Sequence, residues 1–65
     1  MSDAINNLLA REEAKLERQK VNYAATEVER DVLGDTAIVR GKLERQDAAM
    51  KVTAANIAKL KKAAK

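Results

Sequence analysis

Apolar residues in this chain follow a helical repeat along two opposite faces. In the first half, one stripe recurs every three to four residues and includes Leu9, Leu16 and Tyr23. A second stripe, with Val21 and Val28, follows the opposite face of the same pattern. A helix that packs on one side needs a single apolar stripe, so two stripes indicate a helix placed between two neighbours. The pattern therefore predicts helices that belong to an assembly.

The same pattern divides the chain into two helices joined by a short turn. It runs without a break to Leu33 and is followed by Gly34, a residue type that readily adopts the left-handed conformation just past a helix end. Thr36 is a good N-cap for a second helix. Gly41 marks either a kink or the end of a longer loop. The predicted elements are a helix over 3–33, a turn over 34–36 and a helix over 37–63, in one helical domain of residues 1–65.

Folding the chain back at this turn brings the larger apolar residues of the two halves together. Tyr23 then meets Met50 and Leu16 meets Ile57, which predicts an all-α antiparallel helical hairpin. The second stripes would pair equally well, but larger side chains favour the first stripe as the seam. One long bent helix of about 95 Å is the alternative. The predicted primary seam is Ile5, Leu9, Leu16, Tyr23, Leu33, Val39, Leu43, Met50, Ile57 and Leu60.

Polar residues also occupy matching positions on the predicted seam. Gln19 faces Thr53 and Thr26 faces Gln46 when the halves are aligned in this way. Polar groups at such positions fix the register of a helix pair at some cost in stability. They add to the argument for one defined alignment of the two helices.

A chain of 65 residues has a marginal core of its own. Cysteine and histidine are absent, so disulfides and the usual metal sites cannot supply the missing stability. Association with other subunits remains, and the second stripe is the surface available for it. The predicted partner interface is Val21, Ala25, Val28, Val32, Ala48, Val52 and Ala55.

Charge is distributed unevenly between the two halves. The chain has a net charge of +3, of which residues 1–33 contribute −2 and residues 34–65 contribute +5. The basic C-terminus could contact phosphates without sequence preference, although lysines there also complement the helix dipole. No aromatic residue lies near these lysines to stack on bases. The candidate anion contacts are Lys59, Lys61, Lys62 and Lys65.

Residues suited to catalysis are scarce in this sequence. Without histidine or cysteine, the common acid–base and thiol sites cannot form, so we expect no enzyme, cofactor or metal site. Glu12, Glu13 and Glu17 have helical spacing but are typical of a solvated face. No apolar run reaches the length of a membrane span, and the N-terminus lacks the pattern of a secretory signal. Cytoplasmic synthesis is the expectation.

Taken together, these patterns favour a non-catalytic structural subunit that assembles by helix–helix packing, in an oligomer or a large particle. An accessory component of a virion is one example of such a subunit. A basic, nucleic-acid-associated helical module is one alternative, because of the C-terminal lysines. A coiled-coil regulatory adaptor, folding around a partner's helix, is the other.

Overall fold

The computed structural model describes the backbone of residues 2–64 and the side chains of residues 3–64. Two helices, α1 (Ser2–Leu33) and α2 (Ala37–Ala63), pack against each other, and the described residues contain no strand. The molecule measures 49 × 14 × 12 Å. The all-α helical hairpin is therefore confirmed, and the alternative of one long bent helix is wrong. Helix α1 begins one residue before the predicted position.

The turn between the helices is set by one glycine and one threonine. Gly34 has φ +93°, and its N–H donates to the carbonyl oxygen of Arg30 at 2.8 Å, which is the usual closure of a left-handed helix end. Thr36 is the N-cap of α2, and its side-chain oxygen accepts a hydrogen bond from the Val39 N–H at 3.2 Å. Each helix end at the turn thus has one of its free backbone groups satisfied locally.

Gly41 lies inside α2, so the alternative prediction of a longer loop that ends at Gly41 is wrong. A Cβ at this position would meet one neighbour, Nη1 of Arg45, at an ordinary 3.7 Å. The Arg45 guanidinium therefore lies along its own helix beside the glycine. The helix tolerates Gly41 because its capped start and the buried residues around it, Val39 and Leu43, hold this turn against α1.

The primary stripe forms the seam between the helices. Its buried aliphatic residues are Val39, Leu43 and Ile57, and most of its other members are half-buried: Ile5, Leu9, Leu16, Tyr23, Met50 and Leu60. The prediction that Leu33 belongs to the seam is wrong, because its side chain is 66% exposed. It is the last residue of α1, where the backbone leaves the helix and no turn of α2 covers it.

Polar residues on the seam are satisfied within their own helices or left without a partner. The buried Thr26 hydroxyl donates to the Asn22 carbonyl and the buried Thr53 hydroxyl to the Ala49 carbonyl, both at 3.0 Å. The side-chain oxygens of Gln19 and Gln46, like Oε2 of Glu12, are buried without a hydrogen-bond partner. The seam thus combines few fully buried aliphatic groups with buried polar atoms that have no hydrogen-bond partner in the protein, and each such atom lowers the free energy of unfolding.

Candidate interaction surfaces

Large aliphatic side chains are exposed on the outward sides of both helices. Val21, Val28 and Val32 of α1, with Ile38 and Val52 of α2, are each 60–76% exposed. Single exposed apolar residues are ordinary, but these recur at the spacing of one helix face. They therefore form apolar strips along the two helices, interrupted by Arg18 on α1 and by Arg45 on α2.

These strips form two separate surfaces. On each helix the outward stripe lies on the side opposite the seam, so packing the seams together turns the two outward stripes away from each other. The seven predicted interface residues are all exposed, and they lie on two opposite faces of the hairpin rather than on one continuous surface. The α1 edge is Ala14, Val21, Ala25, Val28 and Val32, and the α2 edge is Ile38, Gly41, Ala48, Val52 and Ala55.

Ile38 is an edge residue that the sequence analysis left out of the predicted interface. It is among the most exposed aliphatic residues of the chain. It lies two heptads before Val52 in the sequence, and this spacing puts both side chains on the same face of α2. The spacing was therefore a signal that could have identified it.

The flat sides of the hairpin are mainly polar, unlike its edges. One side carries the Lys42–Glu29 ion pair at 3.2 Å, which joins the two helices. The other flat side carries Glu13, Lys20 and Asp47, with Asp47 paired to Lys51 at 3.0 Å. Apart from Leu8 on the side of Glu29, and Leu33 at the end of α1, the exposed large aliphatic side chains of the described residues therefore lie at the edges.

The two helices that carry the edges have opposite net charge. Helix α1 contains seven acids and five bases, a net charge of −2. Helix α2 contains seven bases and two acids, a net charge of +5. Along the α1 edge itself, over residues 14–32, acids and bases are equal in number, so the difference in charge comes mainly from α2.

The C-terminal lysines form a separate basic region at the end of α2. Lys59, Lys61 and Lys62 are exposed, and none of them makes an ion pair within residues 3–64. Lys65 lies outside the described residues. Lys61 and Lys62 occupy the last turn of the helix, where positive charge favours the helix dipole without any ligand.

Neither a metal centre nor a membrane-spanning helix is found in the part of the chain that the structure describes. Glu12, Glu13 and Glu17 lie along α1 and do not converge on one point there. Comparisons with known protein families, with curated proteins and with solved structures found no match. The two apolar edges and the C-terminal lysines are therefore the candidate functional features of the described residues.

Proposed function

We propose that this protein is a non-catalytic structural subunit that assembles through its two apolar edges, in an oligomer or a larger particle. The observation that supports this most directly is the contrast between the edges and the core. Five aliphatic side chains on the edges are 60–76% exposed, whereas the buried aliphatic side chains of the described residues are Val39, Leu43 and Ile57. The exposed large aliphatic groups thus outnumber the fully buried ones, and the other large residues of the seam are only half-buried.

The total exposed surface gives independent support. A compact monomer of 7.1 kDa exposes about 4,100 Å², whereas this chain exposes 4950 Å². The hairpin thus leaves about 850 Å² more surface in water than a compact globule of its mass. Association that covers the edges removes this excess and stabilises the fold, because burying an exposed valine contributes about 1.5 kcal/mol.

Two glutamate substitutions on the α2 edge test the proposal. Ala48→Glu and Ala55→Glu each place a charge in the proposed interface, at a position that is already exposed in the hairpin. We expect either variant to lose association in sedimentation experiments while retaining most of its helical circular dichroism. Burial of an unpaired charge is too unfavourable for the interface to accept.

Ala54→Glu is the matched control for these variants. Ala54 is exposed and lies one residue from Ala55, on a flat side of the hairpin, so the substitution makes the same change in charge and helix propensity outside the edge. We expect Ala54→Glu to associate like the wild-type chain. Equal association of the wild-type chain and of both edge variants would contradict the proposal.

A second candidate function is non-specific binding of nucleic acid by the C-terminal lysines. Lys59, Lys61 and Lys62 are exposed and have no ion-pair partner in the described chain. Binding of generic duplex DNA through them weakens steeply between about 50 and 200 mM salt. Absence of binding at the lower salt concentration eliminates this candidate. The helical hairpin itself is compatible with both candidate functions.

A regulatory adaptor would use the same edges to pack against a helix of a different protein. It differs from a self-assembling subunit in what makes the chain fold. An adaptor gains helix when one partner is added, whereas a structural subunit gains helix as its own concentration rises. The circular dichroism of the isolated chain across a concentration series separates these two candidates.

A further inference from the structure

The positions directly opposite the seam differ in side-chain size between the two edges. On the α1 edge these positions hold Val21 and Val28, and on the α2 edge they hold the small residues Gly41, Ala48 and Ala55. The large side chains of Ile38 and Val52 lie beside this small stripe, and the Arg45 guanidinium lies next to Gly41. A bulky ridge on one helix packs well into a groove lined by small residues on another. The α1 edge therefore fits an α2 edge better than it fits a second α1 edge.

These large and small residues also lie at matching heights along the hairpin. The Glu29–Lys42 ion pair fixes a common level of the two helices. With a rise of 1.5 Å per residue, Val28 and Gly41 each lie about 1.5 Å along the helix axis from the level of this ion pair. Further from the turn, Val21 lies about 12 Å and Ala48 about 9 Å from the same level. A second hairpin placed beside the first, with its turn at the same end, brings each valine within about 3 Å, along the axis, of a small residue.

Net charge favours the same pairing. Helix α1 as a whole carries −2, and helix α2 carries +5. Pairing α1 with α2 brings opposite charges together, whereas pairing identical edges brings like charges together. Such electrostatic complementarity contributes to the choice of partner and to the register of an interface.

We infer that the occupant of each edge is a second copy of this chain, bound so that the α1 edge of one hairpin packs against the α2 edge of the next. This inference rests on the proposed function and specifies how the subunit assembles. All turns lie at the same end, and neighbouring helices alternate in direction across the whole array. Because the two contacting surfaces differ, the contact is heterologous, and it generates a ring if the rotation closes or a filament if it does not.

The area of an edge is consistent with repeated contacts. A contact along the whole 49 × 12 Å side of the hairpin covers about 600 Å² on each subunit, or about 1,200 Å² in total, near the lower limit for a specific interface. The apolar residues of each edge span about 27 Å of that length and supply about half of the area. A subunit inside the array uses both edges and so takes part in two such contacts. Two contacts per subunit compensate for the modest area of each one.

Variants with one blocked edge test this arrangement. In the α1-blocked variant Val21→Glu/Val28→Glu, the α2 edge remains intact, and in the α2-blocked variant Ala48→Glu/Val52→Glu, the α1 edge remains intact. We expect each variant alone to sediment as a monomer. Mixing the two in equal amounts joins the intact edges and yields a heterodimer that grows no further. Circular dichroism of the mixture follows any gain of helix that accompanies pairing.

Cysteine cross-linking tests the same contact in chains whose edges are not blocked. The chain has no cysteine, so Ala25→Cys and Ala48→Cys each introduce a unique thiol at the middle of one edge. The two single-cysteine chains are mixed and treated with a short bismaleimide. We expect mixed α1–α2 linkages between chains to exceed the half that random pairing gives.

The outcomes separate this inference from the proposed function. Self-association of the α1-blocked variant alone, or linkage between identical cysteine chains in most cross-linked dimers, overturns the α1-to-α2 arrangement but leaves assembly through the edges intact. Wild-type association of the α2-blocked variant overturns both. A wild-type chain that remains monomeric up to about 1 mM, where even interfaces of about −4 kcal/mol are detected, overturns the proposed function and the inference together. Heterodimer formation and mixed linkages support both.

Discussion

Lys42 Nζ donates to both carboxylate oxygens of Glu29, at 3.2 Å and 3.4 Å. Within residues 3–64 this is the ion pair that joins α1 to α2. The two residues are 13 positions apart in the sequence and lie close to the turn, so their ion pair fixes the level at which the two helices meet. Both side chains keep more than a third of their surface in water, and solvent screening therefore limits the strength of the pair.

Glu29→Gln is expected to lower the free energy of unfolding of the hairpin by less than about 1 kcal/mol, because half-exposed ion pairs contribute little. The measurement is urea denaturation in the Ala48→Glu background, which we expect to be monomeric, so that association does not contribute. The charge-swapped variant Glu29→Lys/Lys42→Glu is the control and should recover most of the loss. A loss above about 2 kcal/mol would show that the pair is far less screened than its exposure indicates.

The two glycines should respond in opposite ways to substitution by alanine. Gly41 is inside α2, and a Cβ there meets Arg45 at an unstrained distance, so Gly41→Ala should stabilise the hairpin by about 1 kcal/mol through helix propensity. Gly34 has φ +93°, and Gly34→Ala should destabilise it by about 1–2 kcal/mol. Thermal unfolding in the same monomeric background should show shifts of about 4–8 °C per kcal/mol in opposite directions. Shifts of the same sign contradict this prediction.

Replacing an unsatisfied amide of the seam by an apolar side chain should raise the free energy of unfolding of the hairpin. Oε1 of Gln46 is buried without a hydrogen-bond partner, and leaving a buried acceptor unpaired costs about 1–3 kcal/mol. We expect Gln46→Leu to raise the free energy of unfolding by about 1–2 kcal/mol, since it removes this acceptor and adds apolar burial. Asn22→Leu, on an exposed position of α1, is the control and should change stability by no more than about 0.5 kcal/mol. An unchanged urea midpoint for Gln46→Leu would mean that the amide is satisfied by water.

The hairpin could be predicted from the sequence because its turn is encoded by nearest neighbours. Gly34 can adopt a positive φ and Thr36 caps the following helix, and both properties belong to the residue types themselves. The exposure of Leu33 could not be read in the same way. Its place in the heptad assigns it to the seam, but burial also requires a neighbouring turn of α2, and at the end of α1 there is none.

The candidate site was harder to predict than the fold. Heptad spacing gives the direction of a side chain around its own helix, and this was enough to identify Val21, Val28 and Val52 as outward residues. Whether outward residues of two helices share one surface depends on how the helices pack. Once the primary stripes form the seam, the two outward stripes must face opposite directions, and the one predicted interface becomes two edges.

Stability should depend on protein concentration if the edges assemble. Subunits that bind only folded copies of themselves shift the unfolding equilibrium by mass action, so the melting temperature rises with total concentration. We expect this rise for the wild-type chain and for Ala54→Glu, whose substitution is on a flat side of the hairpin. Ala48→Glu should melt at one temperature at all concentrations, because its α2 edge carries an unpaired charge. The measurement is circular dichroism over at least a hundredfold range of concentration. A wild-type melting temperature that stays constant over this range would mean that the hairpin is stable alone, with its aliphatic edges left in water.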